Sequence, residues 1–144
     1  MNWVVFLLSL VPFLELRAAI PAALLAGYDL AFAFTISTIL NLLVIPIAYL
    51  LLDAIVPPLR RKMEIVGRIY RWSERRAKKR RGITLFGLFL FVGVPLPGTG
   101  AYTGTLVAHV LGLKRWWAAA SISAGVIFAG SILSALILFG VLII

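Results

Sequence analysis

Apolar residues run along this chain in four blocks, and the breaks between them are short. Leu30–Leu52 is 23 residues without a charge, and Trp116–Ile144 is 29. A helix needs about 20 apolar residues to cross a bilayer, so the pattern predicts a transmembrane helix over 30–52 and another over 116–144. The second crosses with some tilt or excess length. Trp116 and Trp117 stand at its start, where aromatic anchors sit at a membrane surface. The other two blocks, 3–28 and 83–113, are each interrupted in the middle. Their legs, such as Val4–Leu14, Ala18–Gly27 and Ile83–Val94, are 10 to 12 residues long and too short to cross alone. Each block is therefore expected to form a re-entrant helical hairpin that enters the bilayer and leaves on the same side.

Between the halves, residues 53–82 are polar and basic. Pro57-Pro58 is expected to close the first span. Beyond it, Leu59, Met63, Val66, Ile69 and Tyr70 recur at helical spacing, and Glu64 and Arg68 stand four apart as a supporting pair. This predicts an amphipathic linker helix on the membrane surface, its basic side toward anionic headgroups. Arg75–Arg81 reads as a solvated charge run.

Charge then fixes orientation. Of the 14 basic residues, 11 lie between Arg60 and Arg81, two more are Lys114 and Arg115, and the last is Arg17. The positive-inside rule places the linker in the cytoplasm. A hairpin over 83–113 keeps Lys114 and Arg115 on that face too. The same concentration explains the net charge of +9 without nucleic acid as a partner. At 62% hydrophobic and 13% charged residues, a soluble domain of this size could not bury its apolar surface. The apolar N-terminus lacks the basic region of a secretory signal and reads as part of the mature fold.

The two halves match. Val11-Pro12 precedes the first break and Val94-Pro95 the second, and Gly27 and Gly112 each end a return leg before a long span. A hairpin adds no crossing and a span adds one, so the second half starts on the opposite side. The expected fold is a single all-α membrane domain over 1–144. It has two inverted repeats, each a re-entrant hairpin followed by a transmembrane helix, joined by the basic cytoplasmic helix, with both termini outside.

Glu15 and Arg17 are the charges that fall inside an apolar block. A charge at that depth costs a few kcal/mol at least, about 2.5–3.5 at the centre of a helix, and is kept for function or held by a partner. Glu15 is a candidate proton or cation site and Arg17 a contact for an anionic group; a structural Glu–Arg pair at a hairpin tip is the other reading, and the two are compatible. Pro21, Pro95 and Pro97 are expected to mark the breaks and free backbone groups. Gly98, Gly100 and Gly104 allow close approach, and Thr99, Tyr102, Thr103 and Thr105 can bond freed backbone or a substrate. Gly100 and Gly104 form a GxxxG pair. His109 is a candidate proton relay to Glu15 or a hydrogen-bonded structural residue. Asn41, with Thr35, Ser37 and Thr38, gives the first span a polar face that either packs or lines a cavity. Small residues such as Gly125 and Gly130 predict tight contacts for the second span. There is no cysteine and one histidine, so no cysteine- or histidine-rich metal centre is expected, and no cofactor. No P-loop or catalytic triad stands in the chain, and no enzymatic activity is expected.

Glu15-Leu-Arg17-Ala-Ala-Ile-Pro21 and Pro95-Leu-Pro97-Gly98-Thr99-Gly100 resemble the motifs of the small multidrug export protein family, grouped with the DedA/VTT superfamily of paired re-entrant hairpins. The resemblance covers nearly the whole chain. It implies a small transporter of a prokaryotic plasma membrane, moving a small amphiphile or lipid-linked substrate with proton or ion coupling. Lipid scrambling is the alternative it implies, and a non-transporting membrane scaffold is a third reading. The chain departs from the DedA pattern, since no acidic residue follows Pro97 and its Glu and Arg share one hairpin. Two spans and two hairpins enclose little volume, so a homodimer among membrane lipids is expected.

Overall fold

A computed structural model describes residues 2–12, 14–79, 81–94 and 99–140. Among these the chain is wholly helical. A 3-10 helix, Trp3–Leu10, is followed by α1 (Glu15–Leu25), α2 (Leu30–Lys62), α3 (Glu64–Lys79), α4 (Arg81–Gly93), α5 (Ala101–Val110) and α6 (Arg115–Leu138). α2 and α6 are long and apolar enough to cross a membrane. Only 33% and 39% of their apolar stretches are buried within the chain, too little for core helices of a soluble protein. Leu43, Ile47, Leu50 and Ile127 point outward from them.

The turns that start both spans are built alike. Gly27 (φ 95°) and Gly112 (φ 67°) adopt the left-handed conformation after α1 and α5. Tyr28 N–H then bonds Ala23 C=O at 3.0 Å, and Leu113 N–H bonds Ala108 C=O at 3.1 Å. These are Schellman closures, which satisfy carbonyls that helix ends leave open. Asp29 caps α2 by accepting from Phe32 N–H at 3.1 Å.

α2 and α6 run antiparallel: the start of α6 meets the later part of α2 through Arg115 and Asp53, while Gly130 packs on Phe34 and Thr38. α4 lies along α6, and α5 lies between α2, α4 and α6. Space is tight there. A Cβ on Gly125 would stand 2.8 Å from Val92 Cβ and 2.9 Å from Phe89 O, so the glycine lets the α4 backbone touch α6. The buried core that results includes Leu16, Ile20, Val44, Leu88, Val92, Ile122 and Val126. Near the N-terminus, Phe6, Tyr28 and Ala33 form a smaller cluster, with Phe32 stacked on Tyr28 and Trp3 meeting both rings at steep angles.

Three sequence expectations change. Pro57-Pro58 do not end a helix: α2 continues through them to Lys62. The carbonyls that lose a donor there, of Asp53 and Ala54, belong to exposed residues that water can serve. The linker is therefore two pieces, the end of α2 and the separate helix α3, divided at Met63. Pro21 does not mark a break either, because it sits inside α1. The first break lies before Glu15.

Gly125→Ala is expected to lower stability by about 1–3 kcal/mol through overpacking. Gly87→Ala, with nothing within 4 Å of the new methyl, is expected to raise it by about 0.5–1 kcal/mol. Thermal denaturation of the purified protein in detergent separates the two; equal effects would refute the close α4–α6 approach.

Candidate functional site

Glu15 opens α1 in a conformation carboxylate residues rarely adopt, with φ at 49°. It is the one non-glycine residue with positive φ among the described residues, and it costs about 1–2 kcal/mol of backbone strain. The side chain is 2% exposed. What holds it there is another helix. Ala101 N–H donates to Glu15 Oε2 at 2.9 Å, and Tyr102 N–H donates to Oε1 at 3.1 Å. The carboxylate thus caps the N-terminus of α5, where the helix dipole is positive and amides have no intrahelical partner. Asn41 Nδ2 donates to the same Oε2 at 3.3 Å and to Ser9 C=O at 3.2 Å, tying α2 and the 3-10 helix to the cluster. Tyr102 O–H adds a bond to Leu10 C=O at 2.7 Å.

Gly100 follows from this contact. Its backbone is extended, so conformation does not demand glycine. A Cβ there would overlap the Glu15 carboxylate.

Arg17, two residues on, serves the other side of the second break. One of its terminal nitrogens donates to Val92 C=O at 3.3 Å, Val94 C=O at 3.2 Å and Thr99 Oγ1 at 3.1 Å. These carbonyls belong to the end of α4, where the dipole is negative. Its other terminal nitrogen is 3.7 Å from Glu15 Oε2. The pair therefore divides its work: the anion sits on the start of α5 and the cation on the end of α4. Not all capacity is used. Arg17 Nε, Asn41 Oδ1, Ser9 Oγ and Ser37 Oγ are buried without a hydrogen bond among the described residues. A polar ligand or water at this point would find both donors and acceptors.

Of the sequence candidates, Glu15, Arg17, Asn41, Thr99, Gly100 and Tyr102 come together here. Pro95, Pro97 and Gly98 lie outside the described residues. Pro21 lies within α1, one turn past Arg17. Gly104 serves packing: a Cβ there would meet Val92 Cγ2 at 2.5 Å. Thr105 bonds back to Ala101 C=O at 2.6 Å.

His109 lies elsewhere. It stands eight residues after Ala101 on α5, about 12 Å along the helix axis. Tyr70 O–H meets its Nδ1 at 3.1 Å, and Asp53 Oδ1 is 3.5 Å from Nε2. Asp53 also binds Arg115, whose guanidinium stacks over Tyr49 at 4.9 Å. Burial pushes the Tyr70 phenol above its ordinary range, so it stays a donor. That fits a histidine protonated on Nε2 and facing Asp53. A direct relay from His109 to Glu15 is not in this geometry; the cluster joins α2, α3, α5 and α6 at the end of the bundle where α3 lies. Sequence reasoning missed Asp53, Tyr70 and Arg115 as partners, because they and His109 come from four separate elements. It also missed that Glu15 and Gly100 each stand twelve residues before the glycine that ends their helix, a correspondence visible in the sequence.

The chain is similar to known proteins over most of its length. A family model described as "Putative small multi-drug export protein" matches residues 15–132, from the Glu15 cap to the last third of α6. No curated protein and no solved structure matches the chain. With α2 and α6 each carrying an apolar stretch long enough to cross a membrane, the match makes this an integral membrane protein.

Glu15→Ala is expected to cost about 3–5 kcal/mol, because it strands a buried arginine and two amides. Gly100→Ala is expected to destabilise in the same way. In the double variant the new methyl fills space the carboxylate has left, so the combined loss is expected to be close to that of Glu15→Ala alone. Denaturant titration in detergent measures the cycle, and simple additivity would sink the contact.

Proposed function

Because the chain belongs to the small multi-drug export protein family, we propose that it is a transporter that moves small amphiphiles across the membrane, with its site where α1 and α5 begin. The observation that carries this reading is the Glu15 carboxylate on the N-terminus of α5. It places charged groups and open helix ends inside an otherwise apolar bundle. Asn41, its partner, is the twelfth residue of α2, about 16 Å along that helix and near the middle of a ~30 Å hydrocarbon core. Broken helices that meet at mid-depth are how secondary transporters build a site without exposing backbone to lipid.

In this reading the 3-10 helix with α1, and α4 with α5, are two re-entrant hairpins of inverted repeats, as in the DedA/VTT superfamily. Support comes from the shared glycine closures and from helices whose starts meet while their ends diverge. The basic helix α3 faces the cytoplasm and both termini face outside. Glu15 is the coupling group: protonation would remove its charge from the α5 cap and loosen the clasp with α4. The chain acts as a carrier rather than an enzyme, and as a homodimer.

A second reading has its own support. Ala48, Leu51 and Leu52 of α2, with Tyr102, Thr103 and Leu106 of α5, line an apolar groove of about 230 Å³. It reaches Tyr102, and so the Glu15 cluster. Such a groove suits a lipid chain whose headgroup passes the polar site, which is scrambling.

Purified protein in proteoliposomes tests both. Proton-driven uptake of a lipophilic dye, lost in Glu15→Gln while the variant remains folded, is the expected outcome. Exchange of a fluorescent phospholipid between leaflets without a gradient would favour scrambling. Dye transport unaffected by Glu15→Gln would remove Glu15 from the coupling role.

A further inference from the structure

A second cavity lies away from the Glu15 cluster. Arg76, Ala77 and Lys79 of α3, Ile83 and Thr84 of α4, and Leu111 after α5 enclose about 520 Å³. Its lining has two parts of opposite chemistry. Arg76 and Lys79 bring two cations, and Thr84 a hydroxyl. Ala77, Ile83 and Leu111 bring an apolar wall. No carboxylate lines it among the described residues. Glu74, the nearest acidic residue in sequence, packs its side chain against Gly112, and Glu64 pairs with Arg68 at the other end of α3.

The depth of the cavity follows from how α3 sits. This helix has three faces. Gly67, Tyr70, Ser73 and Ala77 are buried against the bundle. Arg68, Arg71, Arg75 and Lys78 form a charged face. Between them Ile65, Ile69 and Trp72 form an exposed apolar strip, and Trp72 alone is 59% exposed. An apolar strip beside a basic face is stable where acyl chains meet headgroups, and costly in water. Arg76 is one turn past Trp72 and stacks over its ring at 4.5 Å, so its guanidinium is held at that same level. The cavity therefore opens where lipid phosphates lie. Tyr70, on the buried face, seats α3 against His109 of α5.

We propose that this cavity is a binding site for an anionic phospholipid. Its phosphate meets Arg76 and Lys79, and an acyl chain lies against Ile83 and Leu111. Two cations match a phosphate, which offers several acceptor oxygens. Basic pockets between membrane helices take anionic headgroups for this reason. The apolar wall selects the lipid over the free ion. A zwitterionic lipid would bring its choline against two cations and lose the advantage.

Native mass spectrometry of the full chain, released from detergent after incubation with dioleoyl phosphatidylglycerol or dioleoyl phosphatidylcholine, tests this. The phosphatidylglycerol adduct is expected to exceed the phosphatidylcholine adduct by about ten-fold or more. Arg76→Gln with Lys79→Gln is expected to abolish that preference. Arg71→Gln with Arg75→Gln removes the same charge from the solvated face of α3 and is expected to leave it within about two-fold. Both pairs are exposed, and the mass spectrum itself reports folded protein through its charge states. Equal losses in the two double variants would show diffuse attraction to the basic helix and overturn the site. Equal retention of the two lipids would overturn it as well. Displacement of the adduct by inorganic phosphate alone would reassign the cavity to the free ion.

Discussion

Two backbone amides at the start of α5 lie inside an apolar bundle, and the Glu15 carboxylate accepts both. In hydrocarbon no water can serve such groups, and each unmet one costs several kcal/mol. Much else follows from that constraint. Glu15 tolerates a left-handed backbone because its side chain must reach across to α5. Gly100 must be glycine because the carboxylate fills the place of its Cβ. Asn41, on the polar face of α2, completes the same shell. Arg17 balances the carboxylate and turns its remaining donors to the end of α4. One acid and one base, two residues apart, thus stabilise two helix ends drawn from the far half of the chain.

The polar groups gather at two levels along α2. The Glu15 cluster meets α2 at Asn41, about a third of the way along that helix. Asp53, His109, Tyr70 and Arg115 gather at the end of the bundle beside α3, where Asp53 and Arg115 remain partly exposed. Between the two lies an apolar stretch of α2 and α5 that includes Ala48 and Leu106 and the groove beside them. Ions at one end can be rearranged at little cost because water reaches them. Those at the other cannot, and any movement of α5 has to carry its cap with it.

Much of this was legible in the sequence, and the reasons are specific. Run length gave α2 and α6, since a charge-free stretch of 23 residues has few alternatives in this composition. The pairing of Gly27 with Gly112 gave the turns, because both close helices by the same left-handed step. The rarity of buried charge picked out Glu15 and Arg17. Proline misled. Pro21 and Pro57-Pro58 stand within helices, because a helix loses one bond per proline and keeps its remainder when packing or water compensates. His109 was open between a relay and a hydrogen-bonded structural residue, and its contacts with Tyr70 and Asp53 favour the second; periodicity placed it on α5 but could not say which neighbours its ring would meet. Arg17 was legible as a partner of Glu15, but the two amides of α5 were not, because backbone groups carry no residue identity.

A cap supplied from a distant part of the chain also bears on how the protein is made. Most helices in membranes bring their own end-satisfying groups, so each can enter the bilayer as a finished unit. α5 does not: the acceptor for its first amides arrives on α1, far earlier in synthesis. Residues 81–140 on their own would bring an unfinished helix into lipid. The stability of the second half therefore depends on the first, whose Glu15 carboxylate is the acceptor for the first amides of α5.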